Sequence, residues 1–496
     1  MPISYILPHV FFNSASEHCD ILNMVNGRPI IKWVIQNILK KTNDTVIIID
    51  EKEKVKEFID EHYPKNSRVK CCVIKQSNDA KIVISREIEK LSKETIRLIR
   101  NDLVINNDKF DEIDSISIYN NVICRIQGKA STINSMLNEN RLTEFTDTFD
   151  SKFQRIFVEE GDMINFSDPN GMEEAKLKLI ESRSFNSLRI NRLYPEIIKS
   201  SSNKEKLQNE VFWYRELPSR FKSLTPQVFG HSEEGIRMEY YGYGTLTEKF
   251  LYGNLPLDKW RSIIQKMLDI VNAFSLVSFK ADNGIFHIFY GSKLKRRLEV
   301  IRENNELKDL IHQEELYINN IKYNGLPVLL SKIMKYIEYI ANSAVSTVCH
   351  GDMCFNNILY DLPTGIVKLI DPRGNIEGIP SIICDPRYDI AKLRHSFCGN
   401  YDGIVEGDYY IKRIKDNSYE FETAKDLSLR EREALFDDLC IKNGFEINEI
   451  RFIEAYLFLT MIPLHTDSRN KIKAFFLLSI IKFNKAFKRI DHENLH

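Results

Sequence analysis

CHGDMCFNNILYD at residues 349–361 and VKLIDPRG at residues 367–374 are the stretches from which the rest of the chain is read. His350, Gly351 and Asp352 open a loop, Asn357 follows Asp352 by five positions, and Asp371 ends the apolar run Val367 to Ile370, fourteen positions after Asn357. Phosphoryl transfer asks for little covalent chemistry. It asks for a carboxylate at the acceptor hydroxyl and oxygen ligands for magnesium. Asp352 suits the first task, accepting or orienting the hydroxyl proton. Asn357 and Asp371 suit the second, with His350 bracing the loop through hydrogen bonds. An HGD turn near an asparagine also arises by chance, but both aspartates together with the strand context make coincidence the weaker reading.

A kinase also needs a lysine for the donor phosphates, an acidic partner to hold it and a loop over the nucleotide. Residues 181–217, ESRSFNSLRINRLYPEIIKSSSNKEKLQNEVFWYREL, offer all three in order. Ser182 to Leu188 forms the loop, with small polar residues such as Ser184 and Asn186 in place of glycines. Lys199 ends the β-like run Glu196 to Lys199, and Glu210 lies on a helix that Asn203 caps. Lys204, Lys206 and Glu216 compete for this ion pair, and a plain surface lysine is the bland alternative. RMEYYGYGTLTEKFL, residues 237–251, reads as a strand, a glycine-bearing bend and a helix, the order expected of a linker between kinase lobes. Met238 then lines an adenine pocket, and main-chain groups of Glu239 to Tyr241 meet the base edge; Tyr240, Tyr241 and Tyr243 serve equally well as packing residues.

HGD, four residues and then Asn, with a later Ile-Asp, resembles the aminoglycoside phosphotransferase and choline kinase superfamily. The resemblance implies an α+β bilobal protein-kinase-like fold, ATP and Mg2+ as cofactors, and a small-molecule acceptor. The departure is Pro372-Arg373-Gly374, where many relatives carry an aromatic residue, and Arg373 is a candidate to face substrate or phosphate. In CDPRYDIAKL, residues 384–393, the resemblance makes Asp389 a support for the catalytic loop. His465 and Asp467 line the acceptor pocket or are satisfied structural groups. The Lys- and Arg-rich start of the insert Phe286 to Leu330 holds an anionic acceptor or, the preferred reading, is a solvated helix face.

The first hundred residues alternate β-rich runs (Ser4 to Leu7, Thr45 to Ile49, Val69 to Ile74, Thr95 to Ile99) with helical patterns (Pro29 to Leu39, Lys52 to His62, Ala80 to Leu91). That order predicts an α/β domain with a parallel sheet. ILNMVNGRPIIKWVIQNIL, residues 21–39, resembles part of the sugar-nucleotide nucleotidyltransferases, and Asp102 is similar to their metal-binding aspartate. Where that family has a Gly-rich basic loop, this chain reads PHVFFNSASEHCD. Without glycines the backbone cannot closely approach a triphosphate, so the domain is expected to be degenerate.

A chain of 496 residues exceeds one hydrophobic core, and the turn cluster SDPNGM marks a boundary. The expected domains are 1–165, nucleotidyltransferase-like; 172–244, a kinase N-lobe; and 245–496, a helical C-lobe. Hydrophobic residues at 43% and charged residues at 28% describe a soluble globular protein. With 69 basic against 70 acidic residues, the surplus that holds nucleic acid is missing. Nine cysteines without a CxxC pair read as reduced, which places the protein in the cytoplasm, and no apolar run is long enough for a membrane span. Oligomeric state is open. The function expected is an ATP-dependent small-molecule kinase acting on a hydroxyl of a sugar, amino sugar or amino alcohol, by analogy in capsule precursor synthesis. The alternatives are a bifunctional kinase and nucleotidyltransferase, or a non-catalytic nucleotide- or sugar-binding pseudokinase.

Overall fold

A computed structural model describes residues 3–7, 20–42, 44–63, 68–75, 79–88, 95–101, 103–105, 114–119, 122–138, 153–159, 163–166, 175, 186–191, 195–232, 235–279, 283–423, 428–465 and 468–493. The chain divides into two compact units, Met1–Ile180 and Glu181–His496.

The first unit contains the strands β1 (Ile3–Leu7), β2 (Thr45–Asp50), β3 (Val69–Val73), β4 (Thr95–Arg100), β5 (Ser115–Tyr119), β6 (Val122–Lys129) and β7 (Gln154–Phe157), with the helices α1 (Ile30–Lys41), α2 (Glu53–His62), α3 (Asp79–Ile88) and α4 (Ala130–Asn138). The sheet order is β7-β5-β6-β4-β1-β2-β3. β4, β1, β2 and β3 form a parallel block, and β6 runs antiparallel to β4 and β5. Alternation in β1 shows why its strand carries apolar residues on both faces. Tyr5 and Leu7 join a core with Ile84 of α3 and Ile133 of α4. Ile6, between them, joins another with Val34 of α1 and Ile59 of α2. The α/β fold with a parallel sheet read from the sequence is present; β6 adds the antiparallel turn. Asp102 and residues 8–19 lie outside the described residues.

The second unit begins with an antiparallel sheet of β8 (Asn186–Asn191), β9 (Glu196–Ser201), β10 (Val228–His231) and β11 (Ile236–Glu239), in the order β8-β9-β11-β10, with α5 (Lys204–Glu216) between β9 and β10. The helical part follows: α6 (Leu246–Tyr252), α7 (Leu257–Ser275), α8 (Lys293–Glu303), α9 (Leu326–Asn342), α10 (Pro386–Phe397), α11 (Leu429–Lys442), α12 (Ile447–Thr460) and α13 (Arg469–Glu493). A capping box between Thr245 and Glu248 starts α6 directly after the linker. α12, wholly buried from Phe452 to Thr460, packs against α10 and α13. Between α9 and α10 lie β12 (Thr347–Val348), β13 (Ile358–Tyr360) and β14 (Val367–Leu369). This is the α+β bilobal arrangement.

One feature departs from the mainly helical remainder that the sequence predicts. Glu315–Ile318, Ile321–Asn324, Tyr409–Lys415 and Ser418–Thr423 form a second four-stranded sheet. Its two hairpins join through the parallel pair Tyr317↔Ser418, a contact no local pattern encodes. In Glu315–Ile318 only Leu316 and Ile318 are buried, too little apolar signal to mark a strand. No helix among the described residues is long and apolar enough to cross a membrane.

Candidate active site

The hairpin β13–β14 explains why HGD and the distant aspartate meet. Ile358 pairs with Leu369, and the Ile370 amide donates to Asn357 O at 3.0 Å, so Asn357 and Asp371 leave the same end of one ladder. His350 is fully buried. Its Nε2 lies 2.9 Å from Ile370 O, so Nε2 carries the proton. Burial holds the imidazole down at about 4, which keeps it neutral. The Asp389 carboxylate, on the first turn of α10, accepts the amides of His350 at 2.7 Å and Gly351 at 2.8 Å. Burial raises Asp389 to about 7 even though these two bonds pull it down. Gly351 has φ +77, and a Cβ there would lie 2.8 Å from Arg373 Cβ, so the loop requires glycine.

Asn357 Nδ2 donates to Asp352 O at 2.9 Å and to Asp352 Oδ2 at 3.2 Å. The other oxygen, Asp352 Oδ1, lies 2.8 Å from Lys392 Nζ. Asp371 stands at φ +56, in the left-handed region that aspartate tolerates better than most residues. Its Oδ1 is 2.7 Å from Lys199 Nζ, and the same nitrogen is 2.6 Å from Glu210 Oε2. Lys199 and Glu210 are both buried. Burial alone would lower Lys199, yet Asp371 and Glu210 hold it above its ordinary value. Burial, then the Asp371 charge, raises Glu210 to about 7 against the pull of Lys199.

Asn203 caps α5 through its Oδ1, which accepts the Lys206 amide at 3.0 Å. Lys206 lies 3.9 Å from Glu210, so it is a secondary partner of the same carboxylate. Asn186 starts β8 opposite Ser201, and Ser184 lies outside the described residues. At the linker, Tyr241 OH donates to Glu239 Oε2 at 2.5 Å, and the Lys368 ammonium stands 4.7 Å over the Tyr241 ring. The amides of Glu239 and Tyr240 donate to Gln227 O and Pro195 O, so a donor to a base edge has to come from beyond Tyr240. His465 Nε2 lies 3.5 Å from Tyr401 OH, and Asp467 is outside the described residues.

Two residues of this cluster were not singled out in the sequence, and in both cases helical spacing holds the signal. Lys392 lies three positions after Asp389 on α10. Trp213 lies three after Glu210 on α5, and its Nε1 donates to Cys349 O at 2.7 Å beside the His350 ring.

The donor set fits a hard cation. With its nitrogen bonded to Asp352, the Asn357 amide offers only oxygen outward, and Asp371 adds a carboxylate. Among the described residues no three His, Cys, Asp or Glu side chains gather into a self-sufficient metal cage. Magnesium, which keeps waters and phosphate oxygens, does not require one.

No family model and no curated relative matches the chain. Solved structures do. A choline kinase from Streptococcus pneumoniae is 14% identical over 62% of this chain and 91% of its own, with a TM-score of 0.34. An ethanolamine kinase from Plasmodium vivax is 12% identical over 65% and 89%, with a TM-score of 0.37. A nucleoside-diphosphate-sugar pyrophosphorylase from Vibrio cholerae is 7% identical over 36% and 99%, with a TM-score of 0.25. The C-terminal part of the chain thus has small-molecule kinases, aminoglycoside phosphotransferases among them, as structural neighbours, and the N-terminal part has a nucleotidyltransferase-like one.

Proposed function

We propose that the second unit transfers the γ-phosphoryl group of ATP, with magnesium, to a hydroxyl of a small molecule. The observation that carries this reading is one lysine, Lys199, bonded at once to Glu210 and to Asp371, 172 positions away, beside a loop in which Asp352 and Asn357 share hydrogen bonds. A binding module has no need of a partly exposed carboxylate held beside the Asn357 amide. Asp352, oriented by Asn357 and Lys392, receives the acceptor proton. Lys199, oriented by Glu210, meets the donor phosphates. Asn357 and Asp371 would hold magnesium, which would offset the charge of the phosphates. Neutral His350 keeps Asp371 at the end of its strand by bonding Ile370 O. Sugars, amino sugars and amino alcohols are the acceptor classes that the sequence resemblance supports. A nucleotidyltransferase-like sheet in the same chain favours a role in sugar activation for surface polysaccharide.

The test is Asp352→Asn in the full chain. Acceptor-dependent ADP formation should fall about 10²–10⁴-fold, while magnesium-ATP affinity by calorimetry stays within about threefold. Unchanged turnover would remove Asp352 from the reaction.

A further inference from the structure

Lys293 is a buried cation with which no carboxylate pairs among the described residues. The helical segment that starts at Asn283 widens into a π turn over His287–Ser292, a distortion found mostly at functional sites, and delivers Lys293 inward. Its Nζ lies 5.0 Å from the Phe289 ring centroid, 5.1 Å from that of Tyr388, and 3.1 Å from Tyr388 OH. Its neighbours Lys295 and Arg296 are exposed, and Arg296 pairs with Glu377, so the solvated-face reading holds for them and fails for Lys293. Arg373 Nη2 donates to the same hydroxyl at 2.8 Å, with its guanidinium 4.7 Å over the Tyr388 ring. The Arg373 amide donates to His350 O at 3.0 Å, which sets this cluster against the HGD loop.

The nearby carboxylates are already committed. Asp385 pairs with Arg387 at 2.7 Å, Asp389 accepts two loop amides, and Asp352 faces Lys392. Among the described residues, Lys293 and Arg373 share one neutral phenol and no ion pair. Two buried cations around one hydroxyl are costly unless an anion joins them. The protonation balance agrees for Lys293 and Tyr388, whereas Arg373, which burial alone would lower, is held above its ordinary value by Tyr388, Cys384 and Asp352. Burial lowers Lys293 to about 8. Burial alone would raise Tyr388, yet Arg373, Lys293 and Lys392 draw it down to about 8.

We infer that the acceptor is itself an anion, an alcohol bearing a carboxylate or a phosphate, whose oxyanion rests on Arg373 with Lys293 and Tyr388 behind it while its hydroxyl faces Asp352. This rests on the kinase reading and narrows it, because an amino sugar or amino alcohol would bring positive charge against two cations. The acceptor oxygen bonds to the γ-phosphorus, the bond to the bridging oxygen of the departing ADP breaks, and the hydroxyl proton passes to Asp352.

The test uses the full chain with magnesium-ADP and matched probes: glycerol and glucose; choline, ethanolamine and glucosamine; glycerate and glucuronate; glycerol 3-phosphate and glucose 6-phosphate. Thermal shift reads binding, and ADP formation from ATP reads turnover. A rise in Tm confined to the anionic probes is expected, and the carboxylate and phosphate arms say which oxyanion the site takes. Arg373→Ala should weaken the responding anion about 10- to 100-fold, with Lys293→Met as the buried counterpart, while both bind magnesium-ATP. A rise with choline, ethanolamine or glucosamine, with the neutral probes alone, or with none overturns the inference. So does an Arg373→Ala protein that binds the anion as tightly as before. Should Asp352→Asn leave turnover intact, the kinase reading falls, whereas the thermal shift still reports on the anion site.

Discussion

Lys199 has one positive charge to set against two carboxylates, and that imbalance governs how the site responds to change. Glu210, almost fully buried, stands near 7 because burial and the Asp371 charge together outweigh the attraction of Lys199. Removing the lysine leaves a buried carboxylate unpaired, a loss of about 3–5 kcal/mol if the charge has to remain. It need not remain at acid pH, where Glu210 takes up a proton. Lys199→Met should therefore destabilise the protein more at pH 8.5 than at pH 6, and adding Glu210→Gln should abolish that difference. Urea unfolding of the three proteins at both pH values checks it, and an equal loss at the two pH values would contradict the pairing. His350 titrates in the opposite sense. Its folded-state value near 4 lies below the ordinary 6.5, so between these values the unfolded chain binds more protons and stability falls as the pH falls. Each pH unit in that window removes up to about 1.4 kcal/mol, and none of this loss occurs above it. His350→Gln should flatten that part of the profile, seen as a difference in Tm against wild type from pH 4 to pH 7. A difference that does not change with pH would mean that His350 does not enter the folded state neutral.

α5 ties two loops and strand β9 together from one stretch of helix. At Asn209 its backbone is approached by Gly374, where a Cβ would sit 1.9 Å from Asn209 O. At Glu210 it holds Lys199, and at Trp213 it holds the carbonyl of Cys349, the residue before the HGD loop. Trp213→Phe keeps most of the packing but leaves the Cys349 carbonyl unpaired, which should cost about 1–3 kcal/mol. It should also lower kcat more than it raises the KM for ATP, because the loop moves while Lys199 stays paired. Denaturant unfolding and steady-state kinetics check both parts, and normal kcat in a destabilised protein would leave Trp213 a packing residue only. Elements such as β1, α1, β2, α2 and β4 were legible because their apolar periods are regular and their ends carry Pro29, Gly27 or other turn chemistry. Asn203 as a cap was legible for the same local reason, and so was the strand that bears Lys199, although it runs on to Ser201 rather than ending at the lysine. What stayed hidden depended on distance or burial. Trp213 reaches Cys349 across 136 positions. Lys392 shows its purpose only once α10 lies beside Asp352, and Lys293 sits in a run of charges in which Lys295 and Arg296 do face water. The second sheet of the helical part pairs strands about a hundred residues apart, so no window of sequence contains its register.

Across the molecule the two units are stabilised by different materials, and this separates what a core substitution should do in each. The first unit packs isoleucine, valine and leucine on both faces of its sheet. The second packs rings directly beneath the proposed site. Phe355, within the loop between Asp352 and Asn357, stacks on Trp260 with centroids 5.5 Å apart and planes 8° apart, and Phe250 meets it edge-on at 5.6 Å. Core packing and site geometry are thus one property in the second unit, since the ring that fills the core belongs to the loop that bears the carboxylate. Ile126 is equally buried, in the β6 strand of the first unit, but it carries no such loop. Truncating either to alanine should cost about 2–5 kcal/mol through the lost transfer and the cavity left behind. The consequences should diverge. Phe355→Ala should lower both stability and kcat, because Asp352 loses the support under its loop. Ile126→Ala should leave magnesium-ATP affinity and kcat within about twofold while hydrogen exchange speeds up in β4, β5 and β6, since domains open as units. Calorimetry, kinetics and exchange on the full chain distinguish these outcomes. A tenfold loss of kcat in Ile126→Ala would contradict this difference between the two cores.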